Sequence, residues 1–174
     1  MKINSKSALL TVGVIIFGMA TANAHVEFNP DAVAANKTQV LTINVPHDCT
    51  KSSKTLEIKL QIPANVDIAT FKSIGVYQHG AFVKKWTESI TKSGAKSYLD
   101  IKGPAMQAGP DNGPNAANIK FQFKTPAAAG TQLKWPALQI CSTGISVRWI
   151  QPRPADGSDP AADATPVPVL NLKK

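Results

Sequence analysis

Few side chains in this 174-residue sequence are equipped for chemistry: three histidines, two cysteines and eleven acids. His25 is singled out by its position. It follows Ala22-Asn23-Ala24, a small-x-small pattern of the kind at which exported proteins are cut. Cleavage there places a free α-amino group and an imidazole on one residue. Such an amine has a pKa of about 7.7–8, far below that of a lysine, so it deprotonates readily and chelates a metal together with Nδ1. Nitrogen ligands of this kind suit Cu(II), which also heads the divalent affinity order. The mature chain holds a single methionine, Met106, so a thioether-rich Cu(I) site is excluded on ligand supply and the oxidised metal is expected.

The remaining candidates point elsewhere or nowhere. His47 has only Asp48 beside it and His79 has no acid at motif spacing, so both read as loop or surface residues. There is no G-x-S-x-G, no H-E-x-x-H, no phosphate-binding glycine loop and no dinucleotide fingerprint. The chain is therefore read as a non-enzyme. Asp156, Asp159 and Asp163 sit among prolines, but their spacing fits no EF-hand and lacks the closing Glu. The lysines and arginines are scattered rather than clustered, which argues against nucleic acid as a partner.

The amino-terminal segment sets the compartment. Lys2 and Lys6 precede an apolar run of 13 residues, Ala8 to Ala20, too short for a bilayer span of about 20. Residues 1–24 are read as a signal peptide and 25–174 as one exported domain, periplasmic or extracellular, with no transmembrane segment. Removing the leader takes away two lysines and no acid, so the net charge of +8 becomes +6. Two readings of Cys49 and Cys141 follow: a structural disulfide, or a thiolate copper or zinc site. An oxidising compartment favours the disulfide.

The elements that must position these residues repeat with a period of two. Leu56, Ile58, Leu60 and Ile62 alternate with Glu57, Lys59 and Gln61, and Ile119, Phe121 and Phe123 alternate with Lys120, Gln122 and Lys124. Shorter β-like runs cover 40–45, 73–78, 81–86, 97–101, 131–135, 137–141, 145–150 and 167–172. Gly and Pro punctuate them, and no 3.6-residue apolar stripe appears. About ten short strands argue an all-β fold, an antiparallel β-sandwich of immunoglobulin- or cupredoxin-like type with one disulfide. Residues 103–118 and 151–166 are expected to be loops, and Trp86 and Trp135 to be packing residues.

Several of these residues recur in an ordered series. His25-Val26 and Pro30 are followed by Val45-Pro46-His47-x-Cys49 and Leu60-Gln61-Ile62-Pro63. Phe121-x-Phe123-Lys124-x-Pro126, Ala129-Gly130-Thr131-x-Leu133 and Pro136-Ala137-Leu138-Gln139-x-Cys141 come next. Val147-Arg148-Trp149-Ile150 and Pro166-x-Pro168-Val169-Leu170 complete the series. Over nearly the whole of 25–172 the chain resembles the YcnI-like copper-binding domain family. The resemblance implies an exported β-sandwich that binds Cu(II) through a single-histidine brace, with His25 as ligand and Trp149 lying against the metal. The indole N–H is a donor and does not ligate by itself, so Trp149 would act from beside the copper. The family's acidic ligand is a Glu shortly before the F-x-F strand. That alignment puts Asn118 at its position, and Asn offers only a neutral oxygen; Glu27 or Asp31 could take its place.

Two function classes follow. One is a periplasmic copper chaperone or buffer, with the copper ion and a copper-transport or cuproenzyme protein as partners. A copper oxygenase is a variant of it that would need His47 or His79 near His25, and the family pattern supplies neither. The other is a non-metal binding or adhesion module on the same sandwich, its copper site lost through Asn118.

Overall fold

The computed structural model describes residues 25–45, 49–50, 53–78, 80–106, 117–155 and 164–174. Residues 1–24, read as a signal peptide, and His47, His79, Asp156, Asp159 and Asp163 lie outside them. Thirteen strands and one short 3-10 turn, Ile68–Thr70, make up the described chain. The all-β expectation holds, and the long alternating segments form β3 (Thr38–Val45), β4 (Thr55–Ile62), β9 (Ala117–Lys124) and β11 (Ala137–Cys141). At the start of β4 a register shift between Thr55 and Glu57 buries Thr55 in place of the expected Leu56.

Two five-stranded sheets and a three-stranded one share a single core. Sheet A runs β1 (Glu27–Asn29), β3, β9, β5 (Lys72–Gln78), β6 (Ala81–Phe82). Sheet C runs β12 (Ser146–Trp149), β11, β4, β8 (Lys96–Met106), β7 (Thr87–Ser93). The small sheet pairs β10 (Gln132–Lys134) with β13 (Val169–Lys173), and β13 in parallel with β2 (Ala32–Ala34). Alternation decides what faces inward: Leu41, Ile43 and Val45 from β3, Ile58, Leu60 and Ile62 from β4, and Ile119, Phe121 and Phe123 from β9 are all buried. Trp135 lies at the centre, with the rings of Phe28, Phe121 and Phe123 5.4–5.7 Å away. Geometry of this kind adds to the area such rings bury.

The structure corrects the sequence reading in three places. β1, β2 and β7 were not marked as strands. β1 and β2 are too short for a pattern, and β7 (TESITKS) lacks apolar alternation because it is an edge strand formed by a hairpin with β8. Gly94, at a φ of 58°, turns that hairpin, in a conformation glycine adopts without penalty. The run 81–86 forms a strand only at Ala81–Phe82. The expected loop 103–118 is cut at both ends: residues 117 and 118 open β9, and residues 103–106 continue β8. Gly103 allows this because the indole of buried Trp86 lies over it; a Cβ there would come within 2.3 Å of the ring.

Cys49 and Cys141 are disulfide-bonded, so the thiolate metal site is not formed. Closing a 92-residue separation stabilises the chain by about 4 kcal/mol in the chain-entropy account. Glu88 on β7 pairs with inward-facing Ile101, and both its carboxylate oxygens are buried without a well-formed hydrogen bond. Burial pushes this carboxyl above its ordinary value, and the Ser73 hydroxyl offsets only part of the effect.

Two outcomes are expected. Gly103→Ala overpacks the Trp86 contact and lowers unfolding stability by about 1–3 kcal/mol in a denaturant titration. Because the folded-state carboxyl of Glu88 is raised, its contribution is fully present below the ordinary value of 4.5 and is lost as pH rises through the raised one. Glu88→Gln therefore raises the thermal midpoint at neutral pH, and the gain over wild type vanishes below pH 4.5.

Candidate metal centre

The site is built from the lateral register of sheet A. Glu27 on β1 pairs with Asn44 on β3, Asn44 with Asn118 on β9, and Asn118 with Tyr77 on β5. The inward neighbours Ile43, Ile119 and Val76 are buried, so these four polar residues form one row across the outer face. His25 begins the described chain two residues before Glu27 and is only 4% exposed. It lies at the end of sheet A from which the β3–β4 connection leaves.

The oxygen donors of the row differ in how they are occupied. Glu27 Oε1 accepts from Arg153 Nη2 at 3.3 Å, an ion pair about one-third exposed on either side. Asn44 Oδ1 is buried with no hydrogen-bond partner, an arrangement that is costly unless something else satisfies the oxygen. Asn118 is the direct neighbour of Asn44. Asp31 lies farther along, lining a cavity of about 270 Å³ with Glu27 and Arg153. Among the described residues no three His, Cys, Asp or Glu side chains gather in a metal-binding group. A metal at this end would therefore depend on His25 supplying more than one donor, which amine plus imidazole does.

Trp149 belongs to the opposite sheet. It is 1% exposed on the inner side of β12, and its indole N–H donates to Gln139 Oε1 at 3.3 Å. Gln139, itself fully buried, donates from Nε2 to Thr55 Oγ1 at 2.9 Å. This relay carries the indole along sheet C toward the point where Thr55 pairs with Cys141. The disulfide from Cys141 reaches back to Cys49, in the connection that leaves β3. The topology thus ties the Trp149–Gln139–Thr55 relay to the end of sheet A that carries His25.

Sequence reasoning named His25, Trp149, Asn118 and Glu27, and missed Gln139, Asn44 and Arg153. Gln139 stands at an inward position of an otherwise apolar strand, between Ala137 and Cys141, which was a readable signal. Nothing local marked Asn44 or Arg153, whose significance comes from pairings across 74 and 126 positions.

A disulfide-stapled, immunoglobulin-like sandwich with an enclosed histidine at the start of its edge strand is the class these observations define. The chain belongs to the family described as a domain of unknown function, DUF1775, whose profile matches residues 25–172; it is a YcnI-like domain. It is 28% identical over 145 residues to the copper-binding protein CutI of Bacillus subtilis (strain 168). That alignment covers 83% of this chain and 64% of the relative, so the chain spans just under two thirds of that protein's length. An uncharacterized protein from Nocardia farcinica, solved as an immunoglobulin-like fold, superposes with a TM-score of 0.63 at 23% identity. The match covers 87% of this chain and 99% of that one, and it supports the fold.

The buried relay yields a direct test. Gln139→Leu removes the acceptor of the Trp149 N–H and the donor to Thr55 together. Unfolding in denaturant should show a loss of about 1–3 kcal/mol, the range for buried polar groups deprived of partners. An unchanged midpoint would mean the relay holds nothing in place.

Proposed function

We infer that residues 1–24 are a signal peptide and that the mature protein, beginning at His25, binds Cu(II) outside the cytoplasm as a chaperone or buffer. The observation that carries this reading is that the family match begins at residue 25, on a histidine that directly follows a small-x-small pattern. The Bacillus relative, a copper-binding protein, suggests the metal. His25 would give its amine and imidazole, two nitrogens in one chelate ring. Trp149 would lie beside the ion without ligating it, since its N–H points to Gln139 and offers no lone pair.

The oxygen side departs from an acidic ligand. Asn118 is neutral, and the carboxylate of Glu27 is shared with Arg153. Charge at a Cu(II) centre is therefore balanced weakly here, which favours a site that releases its cargo to a copper-transport or cuproenzyme partner over one that retains it.

The test uses protein exported and processed by a bacterial host, its first residue read by mass spectrometry. Cu(II) titration followed by electron paramagnetic resonance and Trp fluorescence should give one equivalent bound, nitrogen hyperfine couplings and quenching. Acetylating the His25 amine should abolish all three, because the imidazole then has no amine to complete its chelate ring. A first residue other than His25, tighter binding of Cu(I) than Cu(II), or binding indifferent to acetylation would overturn the reading.

A further inference from the structure

The outer face of sheet C holds a second feature that the copper reading does not use. In a two-layer sandwich this face should be open to water, yet Asp100 on β8 is only 4% exposed. It belongs to a row that crosses all five strands: Arg148, Leu138, Lys59, Asp100 and Ser89. A cavity of about 530 Å³ lies over this row and the next one, which contains Gln61 and Tyr98. That volume is within the range of about 300–1,000 Å³ typical of small-molecule sites.

Charge is distributed unevenly within it. Lys59 and Lys102 each reach both Glu57 and Asp100, at 3.4–3.7 Å, so the two acids and two lysines close on themselves. Arg148 and Lys92 also line the cavity and have no acidic partner among the described residues. They stand on β12 and β7, opposite edges of the sheet, about 19 Å apart at about 4.8 Å per strand. One small anionic group therefore does not bridge them. Arg148 is the better seat: Leu138 lies beside it in the row, and Pro136 and the half-exposed Ile150 flank it in the same wall. A guanidinium fork next to an apolar wall matches a carboxylate that carries an apolar body. The far end, with Thr91, Ser93 and Tyr98, is polar.

We propose that this cavity is a binding site for small organic carboxylates, with the carboxylate on Arg148 and the apolar body against Leu138, Pro136 and Ile150. The site is independent of the copper reading, because its lining shares no residue with the row that carries Glu27, Asn44 and Asn118.

The experiment titrates naphthoate into the exported protein in the presence of a metal chelator, following backbone amide shifts by NMR. The neutral analogue naphthalenemethanol is run alongside. Shifts are expected on the outer residues of β4, β8, β11 and β12, with the neutral analogue weaker. Arg148→Glu and Arg148→Gln should each weaken naphthoate roughly tenfold or more, as expected for loss of a charge-assisted pair. Both alter an exposed side chain, and an unshifted thermal midpoint verifies that the fold is kept. Lys124→Glu, on the other sheet, makes the matching change in net charge and should leave affinity unchanged. Equal loss in the Lys124 variant, retained binding in both Arg148 variants, or shifts confined to another face would overturn the proposal.

Discussion

The covalent link between Cys49 and Cys141 is the constraint on which the arrangement of the two main sheets rests. It joins the connection leaving β3 of sheet A to the end of β11 in sheet C. Hydrophobic burial between two sheets is non-directional and tolerates some sliding; a bond across the layers does not. With the bridge in place, the end of sheet A that begins at His25 stays tied to the strand that holds Gln139 and Trp149. An oxidising compartment is what makes such a link persistent.

Within that frame the polar groups fall into two kinds. Gln139 is buried and satisfied, giving an acceptor to Trp149 and a donor to Thr55, and a fully paired polar group inside a core specifies one side-chain arrangement rather than several. Asn44 Oδ1 and the Glu88 carboxylate are buried without good partners. Such groups carry a desolvation penalty that is not returned. The two sit at different edges: Asn44 in the row beside His25, Glu88 where β7 meets the core. The first belongs with a site and the second with a pH-dependent stability.

The two outer faces are correspondingly different. Sheet A presents neutral amides flanked by one ion pair, Glu27 with Arg153, and the cation of Lys120 over the Tyr77 ring at 4.5 Å. Sheet C presents a square of two acids and two lysines, of which Lys59 and Asp100 line a cavity with Arg148 and Lys92 at its edges. A basic chain attracts anions generally, and on sheet C that attraction stands beside the apolar wall of Leu138, Pro136 and Ile150.

Much was legible locally. The strict alternation of 55–62 and 119–124 determined that these segments are strands and, from Ile58 onward, which residues they bury, because side chains in a strand alternate with a period of two. The register shift that buries Thr55 in place of Leu56 was not legible. His25 was singled out by its place after a small-x-small pattern, and the pairing of Cys49 with Cys141 by the compartment that pattern implies. Trp86 and Trp135 packed as expected. Tertiary structure alone decided the rest. β1 and β7 exist because neighbours pair with them; 103–106 extends β8 because Gly103 leaves room for Trp86. Asn118 acquires Asn44 and Glu27 as neighbours, and Asp100 its burial, only through register across strands distant in sequence. Alternation is written in adjacent residues, whereas lateral register is set by which strands meet, and the chain had to fold before those neighbours existed.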